Sequence, residues 1–188
     1  SNTILLDGGM GTMLQAAGLK LGARPEELNI TDPALIEGIH GQYAAAGSRI
    51  VNANTFGASA HKLAGSAYTL EQVITAGIEN CKRACAPYGA LTALDVGPLG
   101  ELLEPSGTLA FEDAVAEYAR IVKAGEAAGA DLIFFETYTD LYELKAALLA
   151  AKENTHLPIL ASMSFEAGGR TFTGCTVESY GITAAGLG

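Results

Sequence analysis

The sequence predicts an α/β fold of repeated βα units around a parallel sheet, and three observations carry that reading. Five apolar runs of strand type alternate with segments of helical periodicity, the runs are too continuously apolar to bury one face only, and polar residues gather at their carboxyl ends. The runs are TILLD (3–7), RIVNANTF (49–56), LTALDVG (91–97), DLIFFET (131–137) and PILASMSF (158–165).

The helical segments fall between them. Asp32 and Pro33 offer an N-cap and a first-turn proline to a segment in which Ile36, Ile39 and Tyr43 share a face. Thr69 with Gln72 forms a capping-box signal, and Ile74, Ile78, Cys81 and Cys85 recur behind it at helical spacing. Val115, Tyr118, Ala119 and Val122 mark a further helix; Asp140 with Glu143 repeats the capping signal ahead of Leu141, Leu144 and Leu148. The stretches AAAGSRIV (44–51) and EAAGADLIF (126–134) both run from a helix end through a glycine into a strand, and the chain ends on TAAGLG. On that precedent a sixth strand is expected directly after Gly188. Residues 1–188 therefore read as one domain, incomplete at its C-terminus, of about five βα units. That number fits either part of an eight-stranded barrel or an open doubly wound sheet.

Composition bounds the function. With 188 residues, 49% of them hydrophobic, and without a long apolar run, the chain has material for a sizeable core and none for a membrane span. Ser1-Asn2 reads as a remnant of tag cleavage, no signal-peptide pattern follows it, and a cytoplasmic location is expected. A net charge of −10 disfavours nucleic acid and anionic lipid as partners, which leaves a small molecule. The cysteines carry no CxxC or His partner: Cys81 and Cys85 read as core thiols, Cys175 as an incidental one in a turn.

Asp7, Asn54-Thr55, Asp95, Glu136-Thr137 and Ser164 lie at or near the carboxyl ends of the runs, the rim on which barrel active sites sit. Taken singly, Asn54, Asp95 and Ser164 read equally well as cap or turn residues. Glu136 does not, because a carboxylate after LIFF is costly to desolvate unless it meets a cation. The segment DGGMGTMLQ (7–15) places Asp7 beside Gly8, Gly9 and Gly11, where bare amides approach an anion and the acid faces a cation. It matches neither the Walker nor the dinucleotide fingerprint. An amino acid, with ammonium and carboxylate together, suits it.

In order, DGGMGTMLQ, RPEELNITDPALI, NANTFGASAHKL, DVGPLG, FFET and ASMSFEAGGRTFTG closely resemble the homocysteine S-methyltransferase family, in particular the homocysteine-binding modules of its cobalamin-dependent methionine synthases. The resemblance spans nearly the whole chain. It implies a (β/α)8 TIM barrel, of which the chain supplies about the first five βα units, and methyl transfer from methylcobalamin to homocysteine thiolate, giving methionine. It also implies zinc as cofactor and cobalamin- and folate-binding modules as partners. Carried over by motif, Asp7 and Glu136 bind the substrate ammonium, with the glycine-loop residues Gly8, Gly9 and Met10 and with Thr55 near the amino-acid end. Family members hold zinc through three cysteines, one at the end of the sixth strand and two near the end of the eighth. Cys81, Cys85 and Cys175 match none of these positions, so no metal ligand is assigned and the zinc ligands are expected beyond residue 188. With fewer units than a closed barrel, the first and fifth runs are expected to leave an open sheet edge that a homo-oligomer would cover. Two other readings stand beside this one, a non-catalytic amino-acid-binding or assembly module and a lyase or aldolase on a similar barrel; no lysine follows a run where a Schiff base would be expected.

Overall fold

The computed structural model describes residues 3–20 and 22–188; Leu21 and the Ser1-Asn2 pair, expected to be a tag remnant, lie outside the described residues. Strands β1 (Ile50–Asn52), β2 (Leu91–Val96), β3 (Leu132–Tyr138) and β4 (Ile159–Met163) pair in chain order, every pair parallel. The first apolar run extends the same sheet through a single parallel bridge, Leu6 to Ile50, with Arg49 N–H donating to Leu5 O at 2.8 Å. It does not become a strand. Paired on one side only, it leaves Ile4 and Leu5 61% and 57% exposed despite their apolar character.

The helices are α1 (Met10–Ala16), α2 (Leu28–Thr31), α3 (Pro33–Ala45), α4 (Leu70–Cys85), α5 (Phe111–Ala127), α6 (Leu141–Asn154) and α7 (Val177–Leu187), with 3-10 turns at Pro25–Glu27 and Ala86–Tyr88. Their starts follow the sequence. Asp32 accepts from Leu35 N–H ahead of Pro33, Thr69 and Gln72 form both bonds of a capping box, and Asp140 accepts from Tyr142 N–H. Glu143 departs from its expected capping role. Its Oε1 accepts from Leu99 N–H at 2.7 Å and from Tyr118 Oη at 2.9 Å, so it is a buried tie between α6, α5 and the loop after β2. Gly47 and Gly129 follow α3 and α5 at φ 108° and 89°, left-handed positions that turn the chain from helix into β1 and β3.

Period-two alternation sorts the strand residues onto two faces. Val51, Leu94, Val96, Ile133 and Phe135 join the main core with Ile74, Ile78, Cys81, Tyr118, Leu144 and Ala147 of α4, α5 and α6. Cys81 and Cys85 are buried there as expected, the Cys81 thiol against Val51 O at 3.6 Å. On the opposite face Ile50, Ala93 and Leu132 form a smaller cluster with Phe134. One step beyond that cluster toward the carboxyl ends stand Asn52, Asp95 and Glu136, in register with the same face. Among the described residues, no helix is long and apolar enough to cross a membrane.

Candidate amino-acid site at the strand ends

A cavity of about 290 Å³ opens at the carboxyl ends of the strands, lined by Asp7, Gly8, Gly9 and Met10 from the first loop, Asn52 to Asn54 and Phe56 from β1 and its loop, Asp95 from β2 and Glu136 from β3. Among the described residues, no lysine, arginine or histidine lines it.

Local structure aims each acid. Asp7 Oδ2 accepts from Asn52 N–H at 2.9 Å, which pins the first loop to β1. Glu136 sits at a β-bulge, where Phe135 pairs with Ala161 and Tyr138 with Met163, so β3 carries one residue more than β4. Thr137 takes up the extra length at φ 56°, strained for a β-branched residue, and its N–H donates to Ser162 Oγ at 3.0 Å. Asp95 is held through its backbone: its N–H donates to Thr55 Oγ1 at 3.1 Å, and the same hydroxyl donates to Asp95 O at 2.7 Å.

The loop after β1 is braced from behind by the RPEELN segment. Glu26 Oε1 accepts from Gly57 N–H at 2.7 Å, Asn54 Nδ2 donates to Pro25 O and Asn29 Oδ1, and Asn29 Nδ2 donates to Asn54 O and Val73 O. Gly8 has a steric reason to be glycine, since a Cβ there would lie 3.0 Å from the Tyr43 ring, whose hydroxyl donates to Gly9 O.

Electrostatically the pocket is unbalanced. Asp7 Oδ1, Asn52 Oδ1 and Asp95 Oδ1 are all buried without a hydrogen-bond partner, and all are acceptors. Burial pushes the Asp7 carboxyl up to about 7, although the Asn52 N–H pulls the other way. Burial, and then the nearness of Glu136 and Asp7, drive Asp95 well above the usual carboxylate range. Glu136 is raised by burial and drawn partly back by the neighbouring Asp95 carboxyl. Such a cavity lacks a cation with N–H donors; an ammonium group supplies both.

Five of the six residues expected at the substrate site, Asp7, Gly8, Gly9, Met10 and Glu136, line this one cavity. Thr55 does not; its hydroxyl is engaged with the Asp95 backbone and it is 2% exposed. Ser164 is exposed and apart. Asn52 and Phe56 were not anticipated, and Asp95 read no more strongly as a site residue than as a turn residue. The signal that marks Asp95 is its phase: two residues after Ala93 on a central strand, it shares the face of Leu132 and Glu136.

Fold and site together define a parallel (β/α) protein with an acidic pocket on its strand-end rim. The sequence model of the homocysteine S-methyltransferase family matches residues 4–186, and the chain belongs to that family. A methionine synthase of Mycobacterium tuberculosis is 31% identical over 96% of the chain, which spans 17% of the length of that relative. Among solved structures, the homocysteine methyltransferase MmuM from Escherichia coli, oxidized form, superposes with a TM-score of 0.88 at 22% identity, covering all of this chain and 70% of its own; its metallated form gives the same TM-score. The fold is thus that of the TIM-barrel homocysteine methyltransferases, of which this chain supplies the first five parallel strand positions, counting the bridge at Leu6.

Proposed function

We propose that this chain is the homocysteine-binding part of a zinc-dependent homocysteine S-methyltransferase of the methionine synthase type, in which homocysteine thiolate accepts the methyl group of a methylcobalamin carried on another module. The observation that carries the reading is the cation-seeking pocket of Asp7, Asp95 and Glu136 on the rim of a family member. Asp7 and Glu136 receive the substrate ammonium, and its carboxylate, kept away from these two acids, lies toward the Gly8–Gly9 wall or the mouth beside Phe56. The volume suits a free amino acid better than a peptide or nucleotide.

Among the described residues no group of three or more His, Cys, Asp or Glu side chains could hold a metal ion, and the Cys81 and Cys85 thiols are sealed on the helix-covered face of the sheet. These residues do not fit a zinc site, and the chemistry they support is binding and orientation of the acceptor amino acid. Two measurements test the proposal. Calorimetry should show L-homocysteine binding while its N-acetyl derivative, which lacks the ammonium, does not; equal affinities would overturn the site. Elemental analysis of zinc-reloaded protein should find no stoichiometric metal on residues 1–188, and one tightly held zinc per chain would show that the metal site is misplaced.

A further inference from the structure

Asp95 differs from the other acids of the pocket. It is 6% exposed, against half-buried Asp7 and Glu136, and its Oδ1 is buried without a partner while its carboxyl lines the same small cavity as that of Glu136. Two carboxyl groups crowded into one desolvated cavity that no cation lines do not both keep a charge, and a proton on one lets it donate to the other. Desolvation places the proton on the deeper group, Asp95, and leaves the charge on Glu136, which is nearer water. Thr55 clamps the Asp95 backbone through both its N–H and its carbonyl, which fixes the point from which the carboxyl enters the cavity. The titratable groups that bear on its charge are Glu136 on β3, Asp7 on the first loop and Glu26 on the Pro25–Glu27 turn, with Tyr138 on the helix-covered side of the sheet, all of them acids.

We propose that Asp95 is a positioning residue which, as a neutral carboxylic acid, donates its O–H to the Glu136 carboxylate, fixes that carboxylate toward the cavity and offers Oδ1 as an uncharged acceptor to the ligand. This deepens the reading of the pocket as an ammonium site and rests on it. Asp7 Oδ1, Glu136 and Asp95 Oδ1 then join Asn52 Oδ1 as acceptors, enough to engage all three N–H donors of a primary ammonium. The substrate class narrows accordingly to amino acids with an unsubstituted amino group, since N-methylation would remove a donor from a cavity already rich in buried acceptors.

The test combines carboxyl carbon-13 NMR on the ligand-free protein with calorimetry using L-homocysteine as probe. In the parent, Asp95 should stay in its acid form from pH 5 to 8 while Glu136 ionises. Asp95→Asn keeps the shape and supplies an N–H donor, so it should bind within about threefold of the parent; Asp95→Ala should bind about tenfold or more weakly and shift the Glu136 titration. A carboxyl of Asp95 that ionises below pH 5, or an Asp95→Asn variant as weak as Asp95→Ala, would overturn the proposal. The NMR reading needs no ligand. A parent that bound no homocysteine would therefore count against the proposed function, while the titration would still decide the Asp95–Glu136 pair.

Discussion

The strand-end pocket and the cleft beside α7 are opposite kinds of cavity. At about 290 Å³ the first is less than half the size of the second, about 710 Å³, which is lined by Leu103 to Ser106, the start of α6, the 173–175 turn and α7. In the cleft several polar groups have partners: Asp140 caps α6, Thr173 Oγ1 donates to Thr139 O at 2.8 Å, and the Cys175 thiol donates to Thr176 O at 3.2 Å. None of the buried unpartnered atoms found among the described residues lines it, whereas three line the smaller pocket. α7 itself buries no residue. Unspent hydrogen-bonding capacity, rather than volume, separates a built site from a gap between helices.

The largest effect expected from this contrast is on binding. Glu136→Ala should weaken homocysteine binding by about 2–5 kcal/mol, because a desolvated ammonium loses a charged partner. Lys145→Ala, in the wider cleft, should leave affinity unchanged. Calorimetry on both variants decides, and a comparable loss from Lys145→Ala would reverse the assignment of the two cavities.

His40 sharpens the comparison from another side, since it is an unpartnered polar group outside any site. Fully buried in α3, with neither ring nitrogen bonded, it has its pKa lowered by desolvation to about 4. A histidine depressed in the folded state leaves stability intact above its unfolded pKa near 6.5 and removes it as pH falls toward 4, here by about 3 kcal/mol at most. The pocket acids act with the opposite sign: raised in the folded state, they favour folding at low pH and weaken it as pH rises, through about 7 for Asp7. His40→Leu should abolish the histidine part of the acid lability without altering homocysteine affinity. Denaturant titrations of parent and variant between pH 4 and 7 isolate the difference, and parallel curves would contradict the burial of an uncharged ring.

Glycines mark the same division at a smaller scale. A Cβ on Gly97 would stand 2.7 Å from the Phe56 ring and 2.8 Å from Phe56 O, so Gly97→Ala should cost about 1–3 kcal/mol of stability and disturb the pocket mouth. Gly186 lines the cleft, and a Cβ there meets nothing within 4 Å. Gly186→Ala, inside α7, should be neutral or stabilising by up to about 1 kcal/mol through helix propensity. Paired melting curves test both, and a destabilised Gly186→Ala would mean that the cleft is more tightly packed than it looks.

What could be read from the sequence follows from how local each feature is. The βα alternation, the caps at Asp32, Thr69 and Asp140, and the placing of Asp7 and Glu136 on one rim depend on short-range patterns, and the structure shows them all. The rest depended on neighbours distant in the chain. The first run is apolar enough for a strand, yet one-sided pairing reduces it to a bridge. Glu143 sits three residues after a capping aspartate, but a partner hydroxyl on Tyr118 and an N–H on Leu99 draw it inward. Asp95 gains its depth from the flanking strands β1 and β3, and Thr55 is turned from the cavity by the Asp95 backbone. Residues whose role lies in a long-range hydrogen bond leave no periodic trace.

The smallest effects belong on the cleft side. Phe172 and Ile182 are 76% and 67% exposed, one in the turn before α7 and the other on it. Side chains that already face water in the folded state lose little when replaced by polar ones, because the transfer term that dominates core substitutions is nearly absent. Phe172→Ser and Ile182→Ser should therefore each change unfolding free energy by no more than about 0.5 kcal/mol. Homocysteine affinity should stay at the parent value, since neither residue lines the acidic pocket. A loss of 2 kcal/mol or more in denaturant unfolding would show that α7 is buried against something in solution, and the contrast between a built pocket and an open cleft would have to be redrawn.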